Sequence, residues 1–120
     1  MKELTKKKGI ILTSKDYKEN ARLLTILTED GLENAILRGA NKINSKNKKF
    51  TIIPVEVEYV RTISTLATFT EGYITNNFIN LKLDQNKSLI YLAIVEKILA
   101  FTDSIDDKLQ MYEFVNKILT

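Results

Sequence analysis

Apolar residues come in short runs up to about residue 76 and in wide stripes after it. The run Ile10-Ile11-Leu12, set within residues 8–15 between Gly9 and Asp16, is brief and rich in β-branched side chains, which predicts a first strand. Residues 21–28 fit a helix on the spacing Leu23, Leu24, Leu27 and a strand face on Leu23, Thr25, Leu27. The Glu29-Asp30-Gly31 that follows decides for a strand, because an Asp-Gly pair between two apolar runs favours a tight hairpin turn. Residues 32–38 form the returning strand and stop at Gly39. Residues 41–50 carry three Asn, one Ser and four Lys, a loop composition. Val55 to Val60 alternates cleanly behind the only proline, Pro54, which predicts a strand with one buried face and one wet face. On that pattern Glu56 and Glu58 share the wet face. Residues 66–74 make a fifth strand.

The period then lengthens. Asn77 to Leu83 suits a short helical turn. Residues 88–102 place Leu89, Leu92, Ala93, Val95, Glu96 and Leu99 near a 3.6-residue repeat, widened by Ile90, Ile94, Ile98 and Phe101, with Asp84, Asn86 or Ser88 as cap. A second helix is expected from about Ile105 to Leu119, with Leu109, Tyr112, Val115 and Leu119 on one side and Ser104 as cap. Five strands followed by helices predict an all-β, five-stranded barrel of the oligonucleotide-binding (OB) type followed by a short α-helical segment, α+β overall. An SH3-like barrel is the rival. The expected division is an OB domain over residues 1–80 and the start of a helical domain over 81–120.

At 120 residues, 44% of them hydrophobic and 28% charged, the chain suits one domain with an appendage. It has no Cys and no His, which removes disulfides, thiolate or imidazole metal sites, and Ser-His or Cys-His catalytic pairs. The four glycines are isolated, so no phosphate-binding glycine loop is formed, and no calcium-loop pattern occurs. The expectation is a non-enzyme without metal or cofactor. No window of about 18 apolar residues exists, and the apolar run behind the basic N-terminus is too short for a secretion signal, so a cytoplasmic protein with no membrane contact is expected.

The net charge of +3 conceals an asymmetry. Residues 1–50 carry 12 Lys/Arg against 6 Asp/Glu, residues 51–83 carry 2 against 3, and residues 84–120 carry 4 against 6. Between Glu33 and Glu56 there is no acid, while Arg38, Lys42, Lys46, Lys48 and Lys49 fall inside the gap. A second cluster is Lys6-Lys7-Lys8. Such patches attract polyanions, and they are the candidate nucleic-acid-binding residues; equally, lysines on loops serve solubility. Of the aromatics, Tyr17 and Phe50 flank loops and are the better candidates for stacking on bases. The electrostatic signal is stronger than the stacking signal, which predicts backbone-driven, weakly sequence-specific binding.

Several segments in order carry a family likeness: Lys8-Gly9-Ile10-Ile11-Leu12, Asp16-Tyr17-Lys18-Glu19, Leu27-Thr28-Glu29-Asp30-Gly31, Arg38-Gly39-Ala40-Asn41-Lys42 with Ser45, and Val55-Glu56-Val57-Glu58-Tyr59 followed by Leu66 to Glu71. Together they resemble the start of the bacterial recombination mediator family RecO, over about residues 8–75. The resemblance implies an OB barrel followed by a helical domain. It also implies binding of single- and double-stranded DNA, annealing of strands, and partnership with RecR and single-strand DNA-binding protein in loading RecA during repair. Arg38, Lys42 and Lys46 fall on the family's basic loop, so DNA contact is implied for them. Lys48 and Lys49 join by proximity only, and Lys6 to Lys8 inherit nothing. Asn41 stands where the family's loop usually has Arg, which removes one charge. The family is longer, and its zinc-binding cysteines, where they occur, lie downstream of the matched region. Two further readings use the same cations: an adaptor gripping an acidic protein tail, such as that of single-strand DNA-binding protein, and a small RNA-associated barrel.

Overall fold

The computed structural model describes residues 3–40, 45–104 and 106–120, with backbone only at position 103. Five strands are present: β1 (Leu4–Tyr17), β2 (Ala21–Thr28), β3 (Gly31–Leu37), β4 (Val55–Thr62) and β5 (Ala67–Asn76). They close into a barrel in the order β1-β2-β3-β5-β4, β4 returning to β1. This is the expected OB-like architecture: every neighbouring pair is antiparallel except β3 and β5, which run parallel. A short 3₁₀ helix (Lys46–Thr51) leads to β4, and α1 (Ile79–Leu83), α2 (Gln85–Phe101) and α3 (Lys108–Leu119) follow the barrel.

The first strand is longer than its apolar run suggests. Lys6, Lys7 and Lys8 lie inside β1, paired with Val60, Tyr59 and Glu58 of β4. The uninterrupted apolar run of residues 10–12 has a simple cause: both faces are covered. Ile11 points into the barrel with Leu24, Ile26, Val57, Tyr59 and Phe69, whereas Ile10 and Leu12, with Leu27 of β2, lie under Phe78, Tyr91, Val95, Tyr112 and Val115 of the helical segment. In β2 both faces are buried only from Ile26 to Thr28, while Leu23 and Thr25 stay partly exposed.

Two glycines make room inside the barrel. A Cβ on Gly72 would lie 2.8 Å from the Glu58 carbonyl oxygen and 2.9 Å from the Phe69 ring, which is stacked on Tyr59 at 5.1 Å. A Cβ on Gly9 would lie 2.5 Å from Ile26 Cγ2. In the β2–β3 turn Gly31 takes the positive φ, at 114°.

The helices depart from the expected detail. The buried stripe of α2 is Tyr91, Val95 and Ile98, while Leu89, Leu92 and Leu99 are exposed. Its cap is Asp84, whose carboxylate accepts from the amides of Asn86 and Lys87. α3 is capped by Asp107 and not by Ser104, and buries Tyr112, Val115 and Leu119 but leaves Leu109 exposed. Glu56 is also corrected. It is 7% exposed, because α3 covers the outer face of β4 at that point. Its carboxylate accepts from Tyr112 Oη (2.6 Å), Thr75 Oγ1 (2.7 Å) and the Asn116 side-chain amide. The wet face expected of β4 is therefore reduced to half-buried Glu58 and Val60, and Thr62 is buried again.

Candidate nucleic-acid interface

The register of β2 and β3 fixes where each cation stands. Arg22 pairs with Leu37 at one end of the ladder and Thr28 with Gly31 at the other. Six residues of rise at about 3.3 Å each separate these ends by roughly 20 Å. Arg38 follows Leu37 directly and is exposed. Its carbonyl accepts from Asn47 Nδ2 at 2.9 Å, which holds the 3₁₀ helix to the same end of the barrel. Ser45 caps that helix through Asn47 N (3.1 Å), so residues 45–47 are held by a local side-chain bond. Lys46, Lys48 and Lys49 are exposed on it, and Lys49 Nζ sits 5.1 Å from the Phe50 ring centre. Lys42 lies outside the described residues.

The turn between β1 and β2 reaches the same end, since Tyr17 pairs with Ala21 and Lys15 with Leu23. Lys15 and Lys18 are exposed there, and Lys18 Nζ lies 5.4 Å from the Tyr17 ring centre. Arg22 is engaged with Asp16 (2.7 Å) and with the Ser14 carbonyl oxygen (2.7 Å). Lys15 and Lys18 stand outside the basic clusters of the sequence, and strand pairing alone brings them to the end of the barrel that carries Arg38 and the 3₁₀ helix. Lys18 and Asn20 both have positive φ, 51° and 58°, which holds the turn in a defined shape.

Lys6 to Lys8 are not brought to this end. They stand at the opposite end of the β2–β3 ladder, where Lys7 Nζ bonds Asp30 at 2.6 Å. That bond holds the Asp30 carboxyl below its ordinary 3.8. Lys6 lies 4.0 Å from Glu58, and Lys8 is exposed beside α3. This part of β1 pairs with β4 only, so lysines here also guard an open strand edge against pairing with other chains.

The two stacking candidates separate. Phe50 is 2% exposed and packs on Phe69 with ring centres 4.9 Å apart, which makes it a core residue. Tyr17 is half-exposed at the basic end. Among the described residues no group of His, Cys, Asp or Glu could hold a metal ion, and no helix is long and apolar enough to cross a membrane. Among curated proteins none matches this chain. Residues 1–78 match the family model described as Recombination protein O N terminal.

Proposed function

We propose, on the premise that the chain belongs to the recombination protein O family, that its barrel is a non-catalytic DNA-binding module of a recombination mediator. Family membership makes this a protein of recombination and repair; binding of single- and double-stranded DNA, strand annealing, and cooperation with RecR and single-strand DNA-binding protein are the finer parts of the proposal. The observation that carries it is the convergence, at one end of the β2–β3 ladder, of Arg38, Lys46, Lys48 and Lys49 with Lys15 and Lys18. Lys42, between Arg38 and Lys46 in sequence, is part of the proposed set.

The mechanism is phosphate neutralisation. Exposed ammonium and guanidinium groups displace condensed counterions, and each neutralised phosphate steepens the dependence of log K on log salt by about 0.7 (single strand) to 0.9 (duplex). Half-exposed Tyr17, with Lys18 beside it, is the group that would stack on an unpaired base. Lys6 and Lys8 are proposed as an outlying contact about 20 Å away, a span of about six nucleotides at 3.4 Å per strand residue.

The test is a salt titration of a fluorescent oligonucleotide with the protein in which Lys42, Lys46, Lys48 and Lys49 are all alanine. The expected result is weaker binding and a slope shallower by up to about 3. An unchanged slope removes this segment from the interface. Lys6→Ala with Lys8→Ala should weaken oligonucleotides long enough to span that distance and leave those of about three nucleotides unaffected.

A further inference from the structure

The barrel's closure is thin at one seam. β5 has ten residues, yet on its β3 side only Ala67 and Thr68 are paired, with Ala35 and Ile36. From Phe69 to Asn76 the strand is bonded to β4 alone, and no other backbone hydrogen bond reaches it among the described residues. Irregularities in the β4 register bracket the run Glu71 to Ile74, which pairs regularly with Val60 to Val57. The bracketing threonines are fixed: Thr70 Oγ1 donates to the Val60 carbonyl (2.9 Å) and Thr75 Oγ1 to Glu56.

What stands along this run is specific. Tyr73 is 54% exposed, and its hydroxyl donates to Glu58, so the ring is held in place on the surface. Glu71 is exposed and has no ion-pair partner among the described residues. Together with Glu58, Val60 and Gly72 they border a depression of about 490 Å³. Lys6 of β1 also borders it: it pairs with Val60, the β4 partner of Glu71, and its ammonium lies 4.0 Å from Glu58. On the inward side of the same edge are Gly72 and the partly buried Ile74.

We propose that this edge docks an extended segment of a partner protein that alternates basic and apolar residues. An added strand takes its affinity from the unused N–H and C=O groups of Glu71 to Ile74, and its selectivity from alternate side chains. Opposite the outward row, an arginine or lysine pairs with the Glu71 carboxylate and lies against the Tyr73 ring face. Opposite the inward row, apolar residues extend the barrel core beside Ile74. The proposal does not rest on the cations of the β1–β2 turn and the 3₁₀ helix proposed to bind DNA; it shares only Lys6 with the outlying contact proposed there.

The test uses the intact protein and an eight-residue synthetic peptide alternating arginine and valine, matched to the eight residues from Phe69 to Asn76. Backbone NMR shifts and amide exchange are read with this peptide and with one N-methylated at alternate amides. The expected result is binding that protects β5 amides, lost by about tenfold or more on N-methylation and again in the Glu71→Lys protein, and weakened several-fold by Tyr73→Ser. Equal binding of the N-methylated peptide, shifts that map elsewhere, or no binding overturns it. So does concentration-dependent protection of β5 without peptide, which would assign the edge to a second copy.

Discussion

Single residues decide how the outer face of β4 is used. Glu56 carries a buried carboxylate satisfied by three side-chain donors, two of them on α3. Glu56→Ala leaves these donors without an acceptor and should lower stability by about 3 kcal/mol, read from the urea midpoint; Glu56→Gln should retain part of it. Gly72→Ala forces a methyl to 2.8 Å from a backbone oxygen and should cost about 1–3 kcal/mol. Burial raises the hydroxyl pKa of Tyr59, Tyr91 and Tyr112, and Glu33 and Glu56 add to the rise at Tyr59 and Tyr112. Unfolded tyrosine ionises near its ordinary 10.0, so this contribution is complete below that pH and falls as pH rises above it. Phenolate absorbance above that pH should therefore appear for these tyrosines only together with unfolding. Glu56 looked like a solvent residue in the sequence because alternation records the barrel's inside and outside, not a helix laid over the outside.

At the scale of elements, the helix caps and hairpin turns follow from local chemistry. Asp84 and Asp107 each accept an amide bond at a helix start, and replacing either with alanine should cost about 1 kcal/mol in thermal or urea unfolding. The β2–β3 turn was legible from Asp30-Gly31, but the order in which the strands pair was not, because a count of strands does not fix topology. The buried stripe of α2 was not. That helix is apolar almost all round, so its sequence offers several faces, and only the positions of Ile10, Leu12 and Leu27 select Tyr91, Val95 and Ile98. β3 and β4 are tied across the barrel mouth by Arg61 Nε, 2.8 Å from Glu33, and by Tyr59 Oη, 2.6 Å from the same carboxylate. This strut reinforces the seam where β3 and β5 share only two paired positions.

On the scale of the whole molecule, charge is sorted by the ends of the ladder. The basic segment between Glu33 and Glu56 could be read directly as a polyanion candidate, and the family likeness ran through the same residues. Its enlargement by Lys15 and Lys18, and its separation from Lys6 to Lys8, depend on which residues β1, β2 and β3 place side by side. Tyr17→Ala should weaken single-stranded oligonucleotides several-fold and duplexes little, measured at one salt concentration, since only unpaired bases offer a face to the ring. The sequence by itself determined the number and approximate place of the strands, the β2–β3 turn, the absence of Cys and His chemistry and the basic segment, because these rest on local conformational preference and residue type. The tertiary structure decided which cations share an end, which carboxylate is buried and which strand edge stays open, because each depends on register between segments distant in the chain.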